Sequence, residues 1–370
     1  MYQPSQIFVE KAALRLPTTQ NILSRLSNLQ PFIIDDLSQF TTSQRLTQPD
    51  ANPNAKPLIL AVQKAEFLKN CPGTRRYICC GYQILNLINN CEINCSYCIL
   101  QGYLNNPFII VYVNIEDLFA ECEAKLRKNP DKIFRIGTGE LADSLSTDHL
   151  TRYSKALVRF FNDKNNAVIE LKTKTTLIDN FIKEQHNRRT VIAWSLNTPK
   201  IIASEESFAP TLEQRLAAAA RCQTAGFKLA FHFDPMIYYN EWEDDYQGVV
   251  EKLFAQIDPE NIIWISLGAL RYPPQLEKII RNNHPHSSIV LGELFPGLDE
   301  KIRYFKPIRI EMFRKMYQWI KAMAPDVFVY LCMESSEVWE KAFGWTPKNS
   351  AKLKRLMDKL VDSINANQKN

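Results

Sequence analysis

The chain has 370 residues, 45% hydrophobic and 23% charged, with 45 Lys and Arg against 40 Asp and Glu for a formal net charge of +5. That length can bury one large core with a small satellite domain, and ordinary apolar content with only 11 glycines excludes a fibrous or largely disordered chain. The longest apolar run, PFIIVYV, is far short of a membrane span, so no membrane association is expected.

The N-terminus, MYQPSQIFVEKAAL, has no basic start followed by an apolar stretch and a small-residue cleavage site, which points to a cytoplasmic protein. Residues 1–47 read as a small N-terminal α/β domain, with short strands at QIFVE and PFIID around a helix near TTQNILSRLSNL. Residues 48–57, rich in Pro and Asn, read as a linker. From residue 58 to 335 short β-branched runs alternate with helical periodicity. Strands are predicted at QILNLIN, IFRIG, AVIELKT, TVIAWSL, FKLAFHF and NIIWISLG. Between them lie predicted helices at STDHLTRYSKALVRFF, TLIDNFIKEQ, TLEQRLAAAARCQTAG and EWEDDYQGVVEKLFAQ. Two further helices, PPQLEKIIRNN and RIEMFRKMYQWIKAM, precede a last strand, VFVYLC. Residues 336–370 form a C-terminal helical extension ending in an amphipathic surface helix, KNSAKLKRLMDKLVDSINAN. This rhythm predicts an α/β fold: a parallel sheet of about six βα units closing into a partial TIM-like (β/α)6 barrel. In that architecture chemistry sits at the C-terminal ends of the strands.

Nine cysteines occur, at 71, 79, 80, 91, 95, 98, 122, 222 and 332. An odd number without a secretion signal argues for metal or redox use rather than a disulfide framework. Cys91, Cys95 and Cys98 form a C-x3-C-x2-C cluster directly after the strand QILNLIN. Three thiolates can hold three irons of a [4Fe–4S] cluster and leave the fourth open to another ligand. The competing reading is structural zinc with a distant fourth ligand such as Cys79, Cys80 or His149. Zinc sites of that kind normally use a second C-x2-C knuckle, which this chain lacks. Downstream, RIGTGE ends the second strand with glycines that let backbone approach a ligand closely, and with the carboxylate of Glu140. His232 and Asp234 lie two apart on one strand with the same facing, where they line a cavity or, for His232, sit satisfied in the core.

The motif C-x3-C-x-aromatic-C, with Tyr97 as the aromatic, resembles the radical S-adenosylmethionine (SAM) superfamily. Within it, the likeness is to the spore photoproduct lyase family, whose members reverse a thymine dimer in DNA. It is carried by CSYCILQGYLNNPFIIVYVNIEDLFA, STDHLT, LKTKTTLIDNFI, SLNT, RLAAAARCQTAGFKLAFHFDPMI and EWEDDY, and by IFVEKAALRLPTTQNILSRL at the start. The resemblance implies a [4Fe–4S] cluster on Cys91, Cys95 and Cys98. It also implies reductive cleavage of SAM to a 5′-deoxyadenosyl radical, with electrons from a reductase or flavodoxin-type donor. SAM would be held by Tyr97, Gly139, Glu140, Lys174, Ser195 and Asn197. Two positions depart from the family pattern. The cysteine that returns a hydrogen atom to thymine is Glu140 here, and the second of a tyrosine pair is Ile99. Cys332, at the end of the last strand, and Cys80 are the substitute hydrogen-donor candidates, with Tyr97 retained. Cys71, Cys79 and Cys80 are alternatively ligands of an additional metal, while Cys122 and Cys222 fall in helical stretches and read as core residues. A DNA partner would use a basic rim drawn from Arg75 and Arg76, Arg188 and Arg189, and the run KIRYFKPIRIEMFRKMY. The alternatives are a radical SAM enzyme acting on RNA, peptide or a small metabolite, and a non-catalytic metal-binding scaffold.

Overall fold

The computed structural model describes residues 1–43, 55–74, 76–104 and 106–366; most of the predicted linker and Arg75 lie outside them. The strands are, in chain order, β1 (Ile7–Glu10), β2 (Pro31–Ile34), β3 (Leu58–Ala61), β4 (Leu68–Asn70), β5 (Gln83–Leu85), β6 (Ile88–Asn89), β7 (Ile109–Tyr112) and β8 (Phe134–Gly137). They continue with β9 (Ala167–Thr173), β10 (Thr190–Ser195), β11 (Lys228–Met236), β12 (Ile262–Ala269), β13 (Arg271–Tyr272), β14 (Leu294–Pro296), β15 (Ile302–Tyr304) and β16 (Val329–Leu331).

An eight-stranded sheet runs β16-β12-β11-β10-β9-β8-β5-β4. All its pairings are parallel except that of the edge strand β4 with β5. This is the expected partial barrel. Helices Tyr153–Phe161, Leu212–Thr224, Trp242–Gln256 and Lys306–Met323 carry the crossovers. Covered on both faces, the central strands are apolar without alternation: every residue of β10 and β12 is buried. A second sheet, β2-β1-β3-β7-β6, joins the N-terminal strands to β3 and β7. A small antiparallel sheet, β13-β15-β14, follows β12. The C-terminal helix Ser350–Ala366 buries Leu353, Met357 and Val361 against the core. Its Asp358 takes Arg135 of β8 at 3.0 Å.

Three expectations change. The predicted strand QILNLIN is two strands in different sheets: after β5, Asn86 donates to Phe67, and β6 turns to pair antiparallel with β7. The cysteine loop therefore leaves from β6 and not from the first barrel strand. The predicted helix TLIDNFIKEQ is a run of turns. The Thr173 and Thr175 hydroxyls take the amides of Thr175 and Leu177, and Asn180 is drawn to Asp148, while Ile178 and Phe181 bury completely. Local side-chain bonds and burial thus override helical periodicity. Finally, STDHLTRYSKALVRFF breaks at Arg152, whose φ of 54° lies in the left-handed region between Asp148–Thr151 and Tyr153–Phe161.

Candidate active site

The cysteine loop is shaped by two asparagines in the left-handed region, Asn90 (φ 75°) and Asn94 (φ 56°), a conformation Asn tolerates better than most residues. The Asn90 side chain accepts the Cys91 amide at 2.8 Å, and Lys56 donates to the Cys91 carbonyl at 2.6 Å. Further on, the loop is strapped to the segment after β10. The Ser96 amide donates to Glu205 O at 2.9 Å, and the Ser96 and Tyr97 hydroxyls donate to the carboxylates of Glu205 and Glu206. Glu206 pairs with Arg215, which donates to Ser195 O at 2.9 Å and Pro210 O at 3.0 Å. The ladder Tyr97–Glu206–Arg215–Ser195 thus ties the cysteine loop to the end of β10.

All nine cysteines are free thiols. Among the described residues no three His, Cys, Asp or Glu side chains converge tightly enough to hold one ion, and His149 is turned to Tyr2 O at 2.8 Å. Thiolates that hold a cluster are stabilised by hydrogen bonds to sulfur. The Ile93 amide, 3.4 Å from Cys91 Sγ, is such a bond.

Cys98 opens on a cavity of about 310 Å³ at the C-terminal ends of the barrel strands. The same cavity is lined by Tyr97, Gly139, Glu140, Lys174, Ser195, Cys80 and Cys332. Cys91 and Cys95 lie behind, in the loop. Glu140 accepts the Tyr82 hydroxyl, and Lys174 stands 5.7 Å over the Tyr97 ring. Asn197 is not on the wall. Its amide donates to Pro235 O at 3.0 Å and its oxygen accepts from Tyr246 at 2.6 Å, so the buried side chain is spent in bracing the strand ends.

His232 and Asp234, read from the sequence as a same-facing pair, do line the cavity, and further lining residues carry no motif. Asp234 is clamped by both Arg271 nitrogens at 2.9 Å. Its carboxylate sits where a side chain at Gly268 would be, 2.6 Å from a Cβ there. Burial raises the Asp234 carboxyl, but Arg271 outweighs it and holds the group below the usual range. Arg271 also donates to Cys332 Sγ at 3.6 Å; burial still pushes that thiol up, with Arg271 pulling the other way. His232 Nε2 is 3.2 Å from Glu170, whose other oxygen accepts Trp264 Nε1 at 2.9 Å. Lys172 and Lys301 complete the charged wall. Lys172 was legible by alternation, two residues before Lys174 on the same strand face. The Asp234–Arg271 clamp joins separate strands and had no local signal.

The expected basic run KIRYFKPIRIEMFRKMY is split: Lys306, Arg314 and Lys315 reach solvent, but two of its arginines do not. Arg303 is buried on Asp299, Arg309 on Glu334, and Tyr304 and Phe313 are buried as well. The helix Lys306–Met323 turns its apolar stripe inward and takes Arg309 and Phe313 with it, while Arg303 and Tyr304 are buried on β15. Arg189 is buried too.

The spore photoproduct lyase family model matches residues 2–318. A spore photoproduct lyase of Bacillus subtilis (strain 168) is 25% identical over 312 residues, covering 82% of this chain and 87% of the relative. One of Geobacillus sp. is 24% identical over 298 residues, covering 79% and 86%. Among solved structures, a spore photoproduct lyase complexed with dinucleoside spore photoproduct superposes with a TM-score of 0.78 at 23% identity, covering 89% of this chain and 99% of that one. A variant with bound AdoMet and the same dinucleoside gives the same TM-score, identity and coverage. A family model over most of the chain and a shared fold agree: the chain belongs to the spore photoproduct lyase family of radical SAM enzymes.

Proposed function

We propose that the protein cleaves SAM reductively and uses the resulting radical on a thymine lesion in DNA, in the manner of its relatives. The observation that carries this is the meeting of Cys98, Glu140, Lys174 and Ser195 on one cavity at the barrel's strand ends. A [4Fe–4S] cluster with bound SAM would supply the 5′-deoxyadenosyl radical there. Cys91, Cys95 and Cys98 would hold three irons. Glu140, steered by Tyr82, would accept the methionine ammonium. Lys174 would pair with the carboxylate, and Gly139 and Ser195 would shape the wall. Asn197 acts behind them, by fixing the Pro235 turn. A reductase or flavodoxin-type donor would provide the electron, in the cytoplasm; among the described residues no helix is long and apolar enough to cross a membrane.

The final hydrogen atom needs a weak bond to hydrogen, which Glu140 lacks. Cys332 lines the cavity and is held by Arg271. Its S–H bond would break as the product C–H forms. The sulfur radical would regain its hydrogen from one electron of the donor and one proton. Cys80, on the same wall, is the second candidate, and Tyr97 lies on the cluster side.

Incubating the reconstituted enzyme with SAM, reductant and dinucleotide spore photoproduct should release thymine dinucleotide. SAM cleavage with the lesion untouched would exclude the DNA substrate. It would favour the second reading, a radical SAM enzyme on a non-DNA substrate, to which Glu140 in the family's cysteine position already points. Cys332→Ala should retain SAM cleavage and change the product distribution; an unchanged distribution rules that thiol out.

A further inference from the structure

We propose that Lys172 and Lys301 form a subsite for an anionic group of the substrate, an inference that rests on the reading above and names what its cavity selects. The carboxylates on the wall are already engaged. Glu140 takes Tyr82, Glu170 takes Trp264 with His232 beside it, and Asp234 takes both nitrogens of Arg271. The cations are not balanced in the same way. Arg271 is matched by Asp234, and Lys174 is assigned to the SAM carboxylate. Lys172 and Lys301 line the cavity, yet neither has a carboxylate within 4.0 Å among the described residues. The nearest partner of the Lys301 ammonium is the Met333 sulfur at 3.9 Å.

Lys172 is also built into its place. A Cβ at Gly139 would lie 2.9 Å from Lys172 Cβ and 3.0 Å from its Cε. The lysine stem therefore runs along the bare glycine backbone on its way into the cavity. Gly139 thus serves this cation as well as the cofactor wall. Asp234 and Glu170 face Lys172, and Asp299 faces Lys301, from beyond ion-pair distance. Two half-buried ammonium groups without a direct carboxylate partner suit an incoming anion, because burying a charge is costly until it is paired. Lysine acts on such a group as a point charge, which suits a phosphate oxygen or a carboxylate alike. In a thymine dinucleotide the anion is the linking phosphodiester. In another substrate it would be a carboxylate.

Equilibrium dialysis of the reconstituted holoenzyme with SAM tests this with three probes: dinucleotide spore photoproduct with its phosphodiester, the same compound with a neutral methylphosphonate link, and succinate. The phosphodiester should bind about tenfold more tightly than the methylphosphonate. The double variant Lys172→Met/Lys301→Met should erase that gap while leaving the affinity for the neutral probe unchanged, which also shows that the variant is folded. Equal affinities in the wild type, or a gap that survives in the variant, overturn the subsite. Should neither dinucleotide bind while succinate binds the wild type and not the variant, the subsite stands and the DNA substrate falls. Should no probe bind, the subsite is wrong.

Discussion

Arg215→Met probes the ladder that ties the cysteine loop to the barrel. The Arg215 and Glu206 side chains are 0% and 1% exposed. The arginine also holds two carbonyls, of Ser195 and Pro210. Methionine keeps most of the volume but leaves Glu206 a buried carboxylate with the Tyr97 hydroxyl as its side-chain donor and only the Lys174 charge nearby. Removing one partner of a buried ion pair costs about 3–5 kcal/mol. With an unfolding entropy of about 2.1 cal/mol/K per residue over 370 residues, that becomes a fall in Tm of about 4–6 °C. The double variant Glu206→Gln/Arg215→Met removes the orphaned charge and should recover more than half of the loss. Thermal unfolding of the four proteins of this cycle gives the coupling directly. Tyr97 stands between Cys95 and Cys98, so Arg215→Met should also lower iron content after reconstitution. A loss below 1 °C, or additive losses in the double variant, would refute the reasoning.

A Cβ at Gly139 would lie 3.1 Å from the Lys172 carbonyl as well as 2.9 Å from its Cβ. Backbone on that side cannot step away, so Gly139→Ala should cost about 1–3 kcal/mol and raise the KM for SAM in a 5′-deoxyadenosine assay at unchanged iron content. Gly248→Ala is the counterpart: nothing lies within 4 Å of its Cβ and it sits inside helix Trp242–Gln256, so a gain of about 0.4–1 kcal/mol is expected in the same melts. His186 stacks on Phe227 at 3.8 Å, donates to Ala225 O at 3.2 Å and accepts the Arg188 amide at 3.1 Å, which requires a neutral ring. Burial, the largest cause, and Arg188 hold its pKa below the usual 6.5. As pH falls through 6.5 the unfolded chain takes up a proton that the folded chain resists, so stability is lost on the acid side. Tm should drop between pH 7.5 and 5.5, and less steeply in His186→Gln; equal slopes would contradict this.

The barrel was legible because parallel strands buried on both faces leave unbroken apolar runs such as IIWISLGA. Element boundaries failed where non-local bonds decide. Asn180 is pulled to Asp148, so TLIDNFIKEQ never completes a helix. Asn86 bonds to Phe67, which lets the chain change sheets between β5 and β6. The rule that strand C-termini carry the site gathers Glu140, Lys174 and Ser195 with Cys98. It says nothing of Asn197, two residues beyond Ser195, because the chain has already turned toward helix Pro199–Glu205, whose cap is Thr198. Nor does it reveal Arg271, since the clamp on Asp234 spans 37 residues. Arg303 and Arg309 looked like a nucleic-acid face, and only their buried partners Asp299 and Glu334 show otherwise.

The loop of Cys91, Cys95 and Cys98 and the cavity beside it would together make a SAM-cleaving centre. Anaerobic reconstitution with iron and sulfide, followed by dithionite and SAM, tests it most directly. The wild type should be brown and release 5′-deoxyadenosine, and Cys98→Ala should lose that release. A colourless, zinc-loaded protein, or a brown one that leaves SAM intact, would contradict it.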